Sequence, residues 1–252
     1  MDLKLAGKNA IITGASRGVG RAIALGLAQE GVNVAVCASH LGGAIETVAE
    51  EARGLGVRAT ALAADMGDAG QVLAMMKAAE DFFGTLDILV NNAGIWLQGW
   101  CQDIPLADWQ RSLDVNLTGA FLTSQYFARV NLEKGRPGKI INVNSQAAFN
   151  GSTTGHAHYA ASKAGMTAMT ISMARELSPK GITVNGVALG IVETDMTKQA
   201  IADHPGYYEG RIPMGRVAKP VDVANIVVFL ASEPAGYLTG TTVDVTGGML
   251  MR

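Results

Sequence analysis

Short apolar runs recur along this chain, each separated from the next by a longer stretch with helical spacing. "NAIIT" (9–13), "NVAVCA" (33–38), "RATALAAD" (58–65), "LDILVNN" (86–92), "GKIINVNS" (138–145), "ITVNGVAL" (182–189) and "TTVDVTG" (241–247) read as seven strands. A strand that is apolar on both faces must be covered on both faces, which suits a parallel sheet with helices above and below it. Six helical segments between seven strands predict a single-domain α/β protein, a doubly wound, Rossmann-type, seven-stranded sheet. The 252 residues suffice for one such domain (1–252). One segment breaks the rhythm. Gly190 to Lys219 reads as a long irregular region, and a loop of that length in a compact domain is usually a lid over a site.

Composition excludes several classes. A net charge of −2 carries no basic field for nucleic acid or an anionic membrane. The first residues, "MDLKLAGKNAIITG", are interrupted by charges and do not read as a signal peptide, and no run reaches transmembrane length. Two cysteines, Cys37 and Cys101, make no disulfide framework and point to a reducing, cytoplasmic setting. No His/Cys/carboxylate cluster has metal-ligand spacing, and no Gly-x-Ser-x-Gly elbow is present.

The turn "TGASRGVG" (13–20) follows the first strand and opens the first helix. Gly14 permits a tight turn. Gly18 and Gly20 let the backbone approach an anion at the helix N-terminus. A glycine turn alone is weak evidence, but its place after an N-terminal strand favours a nucleotide site. Further on, Tyr159 and Lys163 stand four apart, on one face of a helix predicted over Ala157–Leu177. Tyr is a poor acid or base at neutral pH, with an ordinary pKa of about 10. A neighbouring ammonium favours the phenolate, so Lys163 is expected to lower it. Alone, such a pair is more often an ordinary helix surface.

Together, Thr-Gly-x₃-Gly-x-Gly, "NNAG" (91–94) and Tyr-x₃-Lys resemble the short-chain dehydrogenase/reductase family over essentially the whole chain. "DVNLTG" (114–119), "PMGR" (213–216) and "FLASEPAGYLTG" (229–240) add to the likeness. It is closest to the branch holding 3-oxoacyl-carrier-protein reductases and alcohol and sugar dehydrogenases. The resemblance implies catalytic roles for Ser145, Tyr159, Lys163 and Asn116: Ser145 holds the substrate oxygen, Tyr159 moves the proton, Lys163 also binds the nicotinamide ribose, and the Asn116 backbone holds a water. It further implies cofactor contacts from Gly14, Ser16, Arg17, Gly18, Val19 and Gly20 in the first turn. Asp65 would receive the adenine amino group beside Met66, although "DMGDAG" also offers a helix cap, for which Asp68 is the better candidate. Asn92, Ala93 and Gly94 would shape the cleft. Gly190, Val192 and Thr194 would meet the nicotinamide or the phosphates.

The second strand decides the cofactor in this family, because an acidic residue at its end repels a 2′-phosphate. Here the strand ends "VCASH", with Ala38 at the acidic position. Arg17, Ser39 and His40 could receive that phosphate, so NADP(H) is favoured over NAD(H). Fourteen residues separate Ser145 from Tyr159, one more than the family's usual spacing, and a loop insertion is cheap. Ser152, Thr153 and Thr154 are weaker substitutes for Ser145. Leu189-Gly190 stands where the family commonly has Pro-Gly. Trp96, Gln146, His156 and Met196 are the candidate substrate contacts, and Gln98, Trp100, Phe149, His158, Tyr207 and Tyr208 could also line the substrate cleft. The resulting expectation is a hydride-transferring carbonyl reductase or alcohol dehydrogenase with a small-molecule substrate, assembled as a homotetramer. A non-catalytic dinucleotide-binding sensor and an NAD-preferring polyol dehydrogenase are the alternatives.

Overall fold

The computed structural model describes residues 1–152 and 155–252. Its seven strands are β1 (Asn9–Thr13), β2 (Asn33–Ala38), β3 (Ala59–Ala63), β4 (Ile88–Asn91), β5 (Gly138–Ser145), β6 (Ile182–Leu189) and β7 (Thr242–Val245). They form one sheet in the order β3-β2-β1-β4-β5-β6-β7, and every pairing is parallel. The helices are α1 (Gly18–Gln29), α2 (Ala44–Gly54), α3 (Ala69–Phe83), α4 (Leu106–Leu113), α5 (Gly119–Glu133), α6 (Ala147–Asn150), α7 (Ala157–Leu177), α8 (Asp195–Asp203) and α9 (Pro220–Ala231).

Residues of β1 to β6 feed two separate cores, and β7 adds Val243 and Val245 to one of them. Ile12 and Ile141 pack with Ile23 and Leu27 of α1, Val48 of α2 and Val227 of α9. Ile11 and Ile140 point the other way, toward Val72 and Met76 of α3, Phe127 of α5 and Leu177 of α7. Burying each such side chain contributes about 1.5–3 kcal/mol, so the two-faced apolar strands hold helices on both sides. Local chemistry sets the element ends. Asp68 caps α3 by accepting the Gln71 amide at 3.0 Å, and Gly84 ends it at φ +80°.

Two expectations change. The helix read across Leu106–Val130 is interrupted by a wide π turn at Asp114–Thr118. The 190–219 region is not irregular. It contains α8, whose N-cap Thr194 and residue Thr197 cap each other reciprocally, and a 3-10 turn at Glu209–Arg211. Repeated β-branched and polar residues hid that helix from a periodicity argument.

A buried polar chain fixes α5 and α7 against the sheet. Asn91 and Asn142 are register partners on β4 and β5, and the Asn91 amide donates to Asn142 Oδ1 at 2.8 Å and to Ser124 Oγ at 2.9 Å. Thr123 donates to Asn91 Oδ1 at 2.6 Å, and the Asn142 amide donates to Thr170 Oγ1 of α7 at 2.8 Å. All five residues are fully or almost fully buried. Breaking one member strands its neighbours without water. Asn142→Leu is therefore expected to cost about 3 kcal/mol and to lower the thermal midpoint by roughly 10 °C. An unchanged melting curve would show that the chain of amides adds nothing to stability.

Candidate active site

The strand order reverses direction between β1 and β4, and a crevice opens there at the carboxyl ends of the strands. The cleft holds about 870 Å³. One end is built by the glycine turn. Thr13 Oγ1 accepts the Asn92 and Ala93 amides, both at 3.0 Å, and Asn92 Nδ2 donates to the Thr13 and Gly14 carbonyls at 2.9 Å. A Cβ on Gly14 would sit 2.7 Å from Ala93 Cα, and one on Gly20 would sit 2.2 Å from the Gly14 carbonyl oxygen. Only glycine permits this packing. Arg17, at the N-cap of α1, makes no side-chain capping bond. The first amides of α1 therefore face the cleft without a side-chain cap, and this end fits a pyrophosphate.

Ser16, Arg17, Gly18, Val19, Ser39, Asp65, Met66 and Asn92 to Gly94 all line the cleft. His40 does not; it lies exposed, 3.4 Å from Ser39 Oγ. Arg17 forms an ion pair with Asp195 at 3.6 Å, spanning from the glycine turn to the start of α8. That pair is exposed and contributes little by itself. Asp65 is also engaged: its carboxylate accepts from Arg111 at 2.8 Å and from the Gly67 amide at 2.9 Å. The Arg111 guanidinium and that amide hold the Asp65 carboxyl below its usual range.

Ser145, Tyr159 and Lys163 line the cleft together with Gly190, Val192 and Thr194, and Leu189, the residue before Gly190, is the register partner of Ser145. Consecutive residues of β5 hold α7 here. Lys163 Nζ donates to the Val143 carbonyl at 2.9 Å, and Asn144 Nδ2 donates to Thr167 Oγ1. Asn144 Oδ1 accepts the Ser145 amide at 2.9 Å, and Ser145 Oγ accepts the Ala147 amide at 3.1 Å. Lys163 Nζ stands 5.9 Å from the centroid of the Tyr159 ring.

Burial raises the Tyr159 phenol above its ordinary value, and a hydrogen bond with Ser145 acts in the opposite direction. The expected lowering by Lys163 is not seen: desolvation raises the phenol, and the Lys163 ammonium donates to the Val143 carbonyl instead. Asn116 stands behind the wall in the π turn. Its Oδ1 accepts the Ile95 amide at 2.8 Å, and its Nδ2 donates to the Ile95 carbonyl at 3.0 Å and to Ser162 at 3.1 Å.

Trp96, Gln146 and Met196, three of the expected substrate contacts, line the cleft. His156 does not reach it. The ring is 4 % exposed, stacked behind Trp96, and His158 is buried as well. Thr153 and Thr154 lie outside the described residues. Arg111, Asp195, Arg211 and Met249 also line the cleft. No motif marked them, since they arrive from a helix face, the 190–219 region and the segment after β7.

Lys163 is 4 % exposed, and burial pushes its amine down to about 8. Below pH 8 both the folded and the unfolded chain hold that proton, so the cost of the buried charge is fully present. Between about 8 and the ordinary 10.5 the folded chain sheds it first, and stability from this site rises with pH. Lys163→Met should therefore gain most over the parent near pH 7. Its advantage should shrink by about 3 kcal/mol toward pH 10.5, as read by urea denaturation. A pH-independent difference would show that the amine is not desolvated.

The comparisons with known proteins agree with this geometry. A family model described as enoyl-(acyl carrier protein) reductase matches residues 14–250. The chain is 43% identical over 244 residues to a 3-oxoacyl-(acyl-carrier-protein) reductase of Staphylococcus aureus, covering 97% of this chain and 98% of the relative. Among solved structures, a short-chain type dehydrogenase/reductase from Mycobacterium marinum superposes with a TM-score of 0.94 at 37% identity, over 100% of this chain and 99% of the other. A short chain dehydrogenase from Burkholderia cenocepacia in complex with NADP superposes at 0.91 with 36% identity, over 98% and 99%. The chain belongs to the short-chain dehydrogenase/reductase family, NAD(P)-dependent oxidoreductases acting on CH–OH and C=O groups.

Proposed function

We propose that the protein is an NADP(H)-dependent carbonyl reductase or alcohol dehydrogenase in which Tyr159 is the general acid/base. The observation that carries this reading is that Ser145, Tyr159 and Lys163 line the same cleft as the glycine turn. A bound nicotinamide supplies or accepts the hydride. The residues of this chain manage the charge on oxygen. Ser145 holds the carbonyl oxygen, and Tyr159 gives its proton as that oxygen becomes an alkoxide. A phenol kept protonated by burial serves the reductive direction. An amine with a pKa of about 8 is mostly charged at pH 7, so Lys163 stabilises the phenolate left behind. The Asn116 side chain is spent on Ile95 and Ser162, so its part in proton traffic falls to its backbone.

The NADP(H) preference rests on Ala38 at the end of β2, with Arg17 and Ser39 on the cleft wall. His40 contributes from outside the lining, through Ser39. The adenine would lie by Asp65 and Met66, and Arg111 would join that end. The NADP-bound Burkholderia neighbour supports the same reading. Residues 190–219 act as the lid, with α8 joined to the glycine turn through Arg17 and Asp195. No helix among the described residues is long and apolar enough to cross a membrane, and the two free cysteines fit a reducing cytoplasm. A homotetramer is supported by Leu106 and Trp109 on α4, Phe121 on α5 and Ile171 on α7, all left exposed.

NADPH and NADH oxidation over 3-oxoacyl thioesters, sugar ketones and diketones tests this reading. Tyr159→Phe should lose about a hundredfold or more in kcat. Arg17→Ala should raise KM for NADPH about tenfold, the equivalent of one charge-assisted contact, and leave KM for NADH nearly unchanged. A parent enzyme that prefers NADH, or a Tyr159→Phe variant with near-full activity, would sink the assignment. Binding of NADPH with no turnover on any carbonyl would identify a sensor instead.

A further inference from the structure

The connection from β4 to α4 carries Trp96 onto the cleft wall, and it is tied down from two sides. Asn116 grips both backbone groups of Ile95. The segment before α7 grips the rest. The His156 ring stacks on Trp96 with centroids 4.1 Å apart and planes 17° from parallel. His156 Nδ1 lies 2.7 Å from the Leu97 carbonyl oxygen, which only accepts, so this nitrogen carries the proton. The Gly99 amide donates to the Gly155 carbonyl at 2.9 Å. Gly155, at φ +86°, has its Cβ position 3.3 Å from Gln98 Cγ, so the two segments are in contact there.

We propose that His156 is a specificity-determining positioning residue: stacked on Trp96 and bonded to the Leu97 carbonyl, it holds the indole as a fixed wall of the substrate end of the cleft. This rests on the carbonyl-reductase reading above and adds which substrates the site favours. Met196, Tyr207, Tyr208 and Met249 line the same cleft. A rigid indole in a cleft lined by thioethers and phenols selects a carbonyl flanked by an apolar or flat group of limited bulk. Burial holds the His156 imidazole below its ordinary pKa; the hydrogen bond to the Leu97 carbonyl works against this, and the neighbouring His158 adds to the lowering. A neutral ring packs face to face on an indole without carrying an unpaired charge into the interior. His156 acts just before Tyr159 in the chain, so the helix that carries the acid also carries the support for the pocket wall.

The test has two independent arms. In a Trp100→Phe, Trp109→Phe background Trp96 is the sole indole, and acrylamide quenching of the cofactor-free protein reads its mobility. His156→Ala should raise the quenching constant about twofold or more. His156→Phe, which keeps a stacked ring, should stay near the parent, and His156→Gln, which can keep the bond to Leu97 without a ring, should fall between. The second arm follows NADPH oxidation with 3-oxoacyl thioesters of increasing chain length. His156→Ala should raise KM about three- to tenfold for the best-fitting chain, flatten the dependence on length, and leave kcat within about twofold. In a Trp96→Ala background the same substitution should have almost no effect on KM, a coupling that general loosening of the fold would not produce. Equal quenching in parent and His156→Ala at matched thermal midpoints overturns the proposal. So does a KM effect that persists unchanged without Trp96. Should His156→Ala fail to fold, His156→Phe and His156→Gln carry both comparisons. A parent protein that turns over no carbonyl would remove the functional reading and leave the quenching result standing.

Discussion

The Asn91 side-chain amide donates to Asn142 Oδ1 at 2.8 Å in the middle of the sheet, and the geometry of the cleft depends on that contact. From Asn142 the polar contacts continue up β5 into α7. Asn142 reaches Thr170, the Val143 carbonyl accepts Lys163, and Asn144 reaches Thr167. Three consecutive strand residues thus hold one helix. Apolar packing would let α7 slide or rotate at small cost, because hydrophobic contact has no direction. Hydrogen bonds without access to water do not, because each broken one leaves an orphaned polar group. Tyr159 on α7 and Ser145 at the end of β5 thereby keep their separation.

The price of that rigidity is electrostatic. The enclosure that fixes Lys163 and Tyr159 also removes them from water, and both titrations move toward the neutral form. The helical spacing of the pair promised mutual stabilisation of charge. The folded cleft instead opposes charge on either partner, and the amine stays mostly cationic at pH 7 because its shift ends near 8. A phenol that resists ionisation keeps its proton until a stronger base appears beside it, which is what reduction of a carbonyl requires.

Some parts of this molecule were easy to read and others were not, for identifiable reasons. Ile11 and Ile12 are both fully buried, on opposite faces, and the apolar runs that encode such pairs revealed the parallel sheet. Asp68 acted as the cap its position suggested. The π turn around Asn116 left no trace, since a single extra residue in a turn alters no periodicity that a short window can detect. The Asp65–Arg111 pair joins residues 46 apart in the chain, and Arg17 finds Asp195 across the mouth of the cleft. No local pattern encodes either. His156 was expected on the cleft and is instead buried against Trp96, which comes from a different segment and takes the place on the cleft wall.

The sequence by itself determined the fold class and the glycine turn, because both are written in short-range spacing: apolar runs, and glycines where a Cβ cannot fit. It also set Tyr159 and Lys163 on one helix face, and only the family resemblance singled them out together with Ser145. Only the tertiary structure decided which charges are paired, how far burial shifts Tyr159 and Lys163, and which side chains wall the substrate end. Those quantities depend on water being excluded and on distant segments meeting, and neither exists until the two faces of the sheet are covered.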